Sequence, residues 1–156
     1  MSTVKTRIGR ALPAAALIGS LFIVVTGTQP PASAVAPTCT NSFTHTSSSG
    51  YNVPAGTYMI HPSYGTPPSE SPCRLEIGDR GTAVRVLQRN LNSCYNAGLV
   101  LDGEFGRATH NALVAAQTKA GVSPDGVFGN LTKYNVLWAR YSIETGSRVS
   151  CAKHPY

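Results

Sequence analysis

The sequence predicts a mainly α-helical domain, a compact three-helix core carried behind a short disulfide-tethered N-terminal extension in which a β-hairpin is available. Three observations predict it. Apolar residues recur at three- and four-residue intervals in three windows beyond Cys73. Glycines stand where these windows should start or stop. An eight-residue turn motif occurs twice, each copy directly before a helical window. With 156 residues, 42% of them hydrophobic and 13% charged, the chain is neither disordered nor fibrous in composition and has the scale of one small domain.

Residues 1–34 read as a secretory signal peptide. Lys5, Arg7 and Arg10 precede the apolar run 11–25, and Ala32-Ser33-Ala34 offers small residues for cleavage after Ala34. A cut after Ala36 would meet the same small-x-small rule but leave Pro37 first. The apolar run is too short to favour an uncleaved span, so no stable membrane anchor is expected after cleavage. There is no twin-arginine pair, and Cys39 follows Ala36-Pro37-Thr38 rather than a lipobox-like Leu, which leaves general secretion and an extracellular or wall-associated location. The leader holds three of the 13 basic and none of the seven acidic residues, so the formal charge falls from +6 to +3 on its removal. That mild, dispersed balance excludes a sequence-independent nucleic-acid binder.

Residues 35–72 form a Ser/Thr/Pro/Gly-rich extension. The stretch 39–46 alternates weakly, Ser48-Ser49-Gly50 can turn and 51–53 can return as a second strand, while 62–72 reads as an extended connection. The main domain is placed at 73–151, with 152–156 as a tail. Its first helix carries Val84, Leu87, Leu91 and Cys94 on one face, starting at Gly81-Thr82 and stopping at Asn96-Ala97-Gly98. The second, at 107–120, carries Ala108, Ala112, Leu113, Ala116 and Ala120 and stops at Gly121. The third, at 130–141, carries Leu131, Tyr134, Leu137, Trp138 and Tyr141, with Trp138 and Tyr134 read as core by that spacing.

Four cysteines, Cys39, Cys73, Cys94 and Cys151, read as two disulfides in an exported chain, and spacing leaves all three connectivities open. No metal is expected. There is no C-x-x-C, and His45, His61, His110 and His154 fall in no ligand spacing such as H-E-x-x-H, so each reads as an ordinary surface or loop residue.

The repeated turn is D-G-x-F-G-x-x-T, at 102–109 and again twenty-three positions later at 125–132. Asp102 and Asp125 can close Asx-turns, and Gly103 and Gly126 can take positive φ. Phe105 and Phe128 would plug the core beneath. Gly106 and Gly129 would let the chain enter a helix at close quarters, with Thr109 and Thr132 in its first turn.

These motifs resemble the peptidoglycan-binding domain family of the three-helix type, in its secreted actinobacterial form. The resemblance covers about 75–138. It rests on Leu75-Glu76-Ile77-Gly78-Asp79-Arg80-Gly81, Val84, Leu87-Gln88, Leu91, both turns, the stretch 112–117 and Gly121. Ala116 stands where the family usually has an aromatic residue, which thins the core or opens a groove there. Such exported modules often place a cysteine before the Leu-x-x-Gly segment and another after the first helix, as Cys73 and Cys94 are placed. Cys73 is expected to pair with Cys94, the chain before the first helix lying back along it, and Cys39 with Cys151, fastening the extension to the end of the domain.

The resemblance implies non-covalent attachment to bacterial peptidoglycan, without a cofactor. The residues agree in offering no reaction: Glu70, Glu76, Glu104 and Glu144 are scattered with no facing pair, and the cysteines are engaged as disulfides. The chain is therefore read as a non-catalytic binding protein. One alternative is an accessory or regulatory protein that binds a separately encoded wall hydrolase; another is a small wall hydrolase. Wall polymer offers hydroxyls, acetamido groups and stem-peptide carboxylates, which call for amides, a cation and an aromatic face. The candidates are Arg107, His110, Asn111 and Gln117 near the first turn, and Asn130, Lys133 and Tyr134 near the second.

Overall fold

The second helical window illustrates how far local pattern carries. Helix 107–120 is predicted and helix Arg107–Ala120 is found, ending on Gly121 in the left-handed conformation, where its N–H closes back on Gln117 and Thr118. A computed structural model describes residues 35–46, 53–65 and 72–154, all within one compact unit, Ala34–Tyr156. The predicted signal peptide lies outside the described residues. The order is β1 (Asn41–Thr46), β2 (Thr57–Ser63), α1 (Thr82–Tyr95), α2 (Arg107–Ala120), α3 (Asn130–Asn135), β3 (Leu137–Ser142) and β4 (Arg148–Lys153). Among the described residues no helix is long and apolar enough to cross a membrane.

The mainly α three-helix architecture is therefore corrected: three helices share the unit with a four-stranded antiparallel sheet in the order β1-β2-β3-β4. The third helix stops after six residues, and Leu137 onward becomes a strand. The apolar spacing there suits either period, and what decides is the supply of partners. β2 pairs with β3 on one side, Tyr58 opposite Tyr141, and β4 pairs on the other, Trp138 opposite Ala152. Asn90 of α1 adds a side-chain clamp that only extended backbone can meet: its Nδ2 donates to Leu137 O at 2.9 Å and its Oδ1 accepts from Ala139 N at 2.9 Å. Leu131, expected in the core stripe, is 71% exposed. Trp138 is fully buried and donates its indole N–H to Lys133 O at 2.7 Å.

The extension is part of this sheet. Its hairpin pairs β1 with β2 from Asn41 opposite Ser63 to Thr46 opposite Tyr58, so the return strand is 57–63 rather than 51–53. The predicted turn Ser48-Ser49-Gly50 lies outside the described residues, as do Tyr51 and Asn52. Pro62 and Ser63, read as the start of a connection, belong to β2.

Both expected disulfide pairings are overturned. Cys39 bonds to Cys73 and Cys94 to Cys151. The segment before α1 does not lie back along that helix but runs beside residues 37–39, ahead of β1, with Cys39 N donating to Arg74 O and Arg74 N to Pro37 O, each at 2.9 Å. That places Cys73 against Cys39. Cys94, in the last turn of α1, faces β4 instead. Helix α1 ends on Asn96, itself left-handed at φ 55°, one residue into the predicted stop. The core joins Leu75, Ala83, Val84, Leu87, Leu91, Phe105, Leu113, Ala116, Phe128, Val136 and Trp138 to Met59 of the sheet.

Candidate functional site

Each Asp-Gly turn is held from inside by a glutamine. Gln88 of α1 is 1% exposed, and its Nε2 donates to Asp102 Oδ1 (2.7 Å), Glu104 O (3.0 Å) and Thr109 Oγ1 (3.2 Å), while its Oε1 accepts from Gly103 N (2.9 Å). Gln117 of α2 does the same one turn later. Its Nε2 donates to Asp125 Oδ1 (2.8 Å), Val127 O (3.0 Å) and Thr132 Oγ1 (2.9 Å), and its Oε1 accepts from Gly126 N (2.9 Å). Asp102 and Asp125 in turn accept from the backbone N–H two residues on, at 2.8 and 2.9 Å. The Glu104 N–H, then the Gln88 amide, hold the Asp102 carboxyl below the usual carboxylate range.

Gly103 and Gly126 are left-handed at φ 76° and 70°. A Cβ on Gly103 would meet Gly81 O at 3.0 Å, and one on Gly126 would fall 2.1 Å from His110 Nε2. Gly106 and Gly129 precede α2 and α3 in extended backbone with open space around them, so no close approach requires them.

The seven candidate ligand residues do not converge. Gln117 lies in the interior, wholly engaged in its turn. Arg107 and Asn130 are exposed at the first positions of α2 and α3. His110 rests on the second turn, in a shallow depression with Glu76, Ile77 and Asp125. Lys133 is buried, with Nζ 5.2 Å from the Tyr134 ring centroid, and Tyr134 meets His154 edge to face.

Asn111 lines a groove of about 400 Å³ between α2 and the loop that follows α1. One wall is Ala108, Ala112, Ala115 and Lys119, a stripe on one side of α2; the other is Tyr95 and 97–100. Ala116, the departure from the family pattern, faces the core instead and is fully buried. Lys119 Nζ lies 5.9 Å from the Tyr95 ring centroid. Burial pushes the Tyr95 hydroxyl up, so it stays protonated, and its oxygen accepts Leu137 N at 2.7 Å. Beyond Tyr95 and Lys119 a second depression continues to Asn135 and Lys153. Among the described residues neither depression has a carboxylate in its lining, and the two ammonium groups there are those of Lys119 and Lys153. Sequence reasoning missed Tyr95, Lys119 and Lys153, although the 108-112-115-119 spacing was open to view.

The other assembly that sequence reasoning missed is buried. His45, His61 and His154, read as surface or loop residues, are 0, 0 and 2% exposed and pack together. Burial first, and then the Lys133 ammonium, push His61 down to about 2, so its ring is neutral.

Comparison with known proteins agrees with the resemblance carried by the turns. Residues 80–134, which are 55 of the 156, match the family described as "Putative peptidoglycan binding domain". The matched stretch contains both turns and both glutamines. An uncharacterized protein encoded in the bpoA1 3′ region of Kitasatospora aureofaciens is 38% identical over 78 residues, 49% of this chain and 62% of that protein. A crystal structure of a peptidoglycan-binding protein from Clostridioides difficile, in complex with glutamine hydroxamate, is 28% identical over 53% of this chain and 51% of that one, with a TM-score of 0.38. The chain thus spans less than two thirds of either protein.

Proposed function

We propose that this protein is a secreted, non-catalytic peptidoglycan-binding module, exported by the leader 1–34, and that it takes a stem peptide of the wall in the groove between α2 and the loop after α1. The observation that carries the reading is the composition of that groove within the family-matched stretch. An apolar floor of alanines suits the methyl groups of a short alanine-rich peptide, Asn111 can pair with an amide, and Lys119 and Lys153 can receive carboxylates. The described carboxylates in the matched stretch support binding over turnover. Asp102 and Asp125 are engaged in turns, and Glu104 pairs with Arg80 at 2.8 Å. Two disulfides suit an oxidising compartment.

The test is co-sedimentation of the chain from Val35 onward with purified insoluble peptidoglycan. The wild type should pellet with the wall and leave turbidity and reducing ends unchanged. Ala115→Trp, which fills the groove from an exposed position of α2, should abolish pelleting. Lys119→Ala should weaken it by about 1.5–3 kcal/mol, the range for a hydrogen bond to a charged group. Full retention in both variants would remove the groove as the site, and release of sugar or amine ends would remove the non-catalytic reading.

A further inference from the structure

His45 stands on β1, His61 on β2 and His154 directly after β4, so the first hairpin and the distal end of the described chain meet at one point. Phe43 lies opposite His61, and His45 is two residues along the same strand, so both histidines project from one face of the hairpin. His45 Nε2 is 2.6 Å from His61 Nε2 and 3.0 Å from His154 Nε2, and one ligand nitrogen from each ring lies within 4.8 Å of the others.

The hydrogens at this point do not add up for three neutral rings alone. Pro62 O lies 2.8 Å from His61 Nδ1, and a carbonyl only accepts, so Nδ1 carries the hydrogen and His61 Nε2 presents a lone pair to His45. His45 Nε2 then has two nitrogen neighbours and at most one hydrogen. With that hydrogen it satisfies His61 but has no lone pair for His154. Without it, it can accept from His154 but faces His61 lone pair to lone pair. A single ion taking a lone pair from each ring resolves both contacts. A ring nitrogen anchored through its other N–H to a backbone carbonyl is also how metal-binding histidines are usually held.

We propose that His45, His61 and His154 form a transition-metal site that takes zinc(II) or copper(I) on three imidazole nitrogens. Metal–nitrogen bonds of about 2.0–2.1 Å in tetrahedral geometry set the nitrogens roughly 3.3 Å apart, so the His45–His154 pair at 3.0 Å is nearly in place, the His45–His61 pair at 2.6 Å must open by roughly 0.7 Å, and all three nitrogens already lie within 4.8 Å of one another. An all-imidazole donor set selects late first-row ions and disfavours calcium and magnesium, which require oxygen. The Lys133 ammonium acts on His61 through space and opposes a cation there, which favours the monocation over the dication. Bound, the ion would clip the β1–β2 hairpin to the segment after β4.

The experiment uses the full, untagged chain stripped with a chelator and titrated separately with zinc(II) and, under anaerobic conditions, copper(I). Cobalt(II) serves as a spectroscopic probe. The expected result is one ion per chain, a raised melting temperature, and shifted nitrogen resonances of all three imidazoles in the wild type, which needs no variant to fold. His45→Gln, His61→Gln and His154→Gln should each weaken binding by at least about tenfold, the lower end for losing even an outer-sphere partner. Failure of the wild type to bind either ion stoichiometrically, or binding undiminished in all three variants, would overturn the site. Wall binding is read separately, so its failure would leave this test untouched.

Discussion

Replacing Gln88 by Leu keeps its bulk but removes the clasp on the first turn. The Gly103 N–H loses its side-chain acceptor and is buried, at a cost of about 1–3 kcal/mol for an unsatisfied donor. Glu104 O keeps Thr109 Oγ1, at 3.3 Å, and Asp102 keeps Glu104 N, so the remaining losses are partial, about 0.5–1.5 kcal/mol each. With the two partial losses at Glu104 O and Asp102 the sum spans about 2–6 kcal/mol, centred near about 4, or a fall in melting temperature of about 10–25 °C for a domain of this size. The assay is non-reducing denaturation followed by circular dichroism. Gln88→Glu provides the control. It keeps an acceptor for Gly103 but sets a carboxylate where the amide now meets Asp102 Oδ1 at 2.7 Å. Burial and the like charge raise the folded pKa of the new carboxyl above its unfolded value, so its penalty is present at neutral pH and fades as pH falls through the folded pKa. Gln88→Glu should therefore be the less stable variant at neutral pH and the more stable one in mild acid. A loss below about 1 kcal/mol for Gln88→Leu, or stability curves that fail to cross, would refute the view that the glutamine holds the turn.

Non-reducing peptide mapping should recover Cys39 joined to Cys73 and Cys94 joined to Cys151. Removing either bridge as a Ser pair should cost up to about 4 kcal/mol in the chain-entropy model for loops spanning 34 and 57 positions, while a peptide joining Cys73 to Cys94 would contradict the fold. Gly103→Ala and Gly126→Ala should each destabilise by about 1–3 kcal/mol through positive φ and crowding. His110→Ala should restore part of the loss at Gly126, whose obstacle is a side chain, and none at Gly103, whose obstacle is backbone; equal rescue, read by thermal melts of the double variants, would contradict this. The depressed Asp102 pKa means that the unfolded chain takes up the proton first as pH falls. Its contribution is thus present above the ordinary carboxylate range and lost through the lower folded pKa, and Asp102→Asn should flatten that acid-side dependence in melts across acidic pH.

What could be read without coordinates was whatever nearest neighbours decide. Asp-Gly followed by Phe-Gly dictates a turn that buries an aromatic ring and opens a helix, and Gly121 stops α2 because few other residues accept the left-handed backbone there. The resemblance to a wall-binding family rested on those same local patterns, and the match over 80–134 falls on them. What the tertiary structure decided were the choices that local pattern leaves balanced. Residues 137–142 satisfy a helical and an extended period about equally, and only the arrival of β2, β4 and the Asn90 amide makes the strand the state with its hydrogen bonds filled. The cysteine partners are likewise a tertiary choice, since Cys73 lies beside Cys39 only once residues 37–39 run along Arg74. Gln117 stood among the ligand candidates because helical spacing does not say which turn will fold over it. His45, His61 and His154 carried no local signal at all: strand register brings two of them to one face, and the course of the chain after β4 brings the third across a separation of 109 residues.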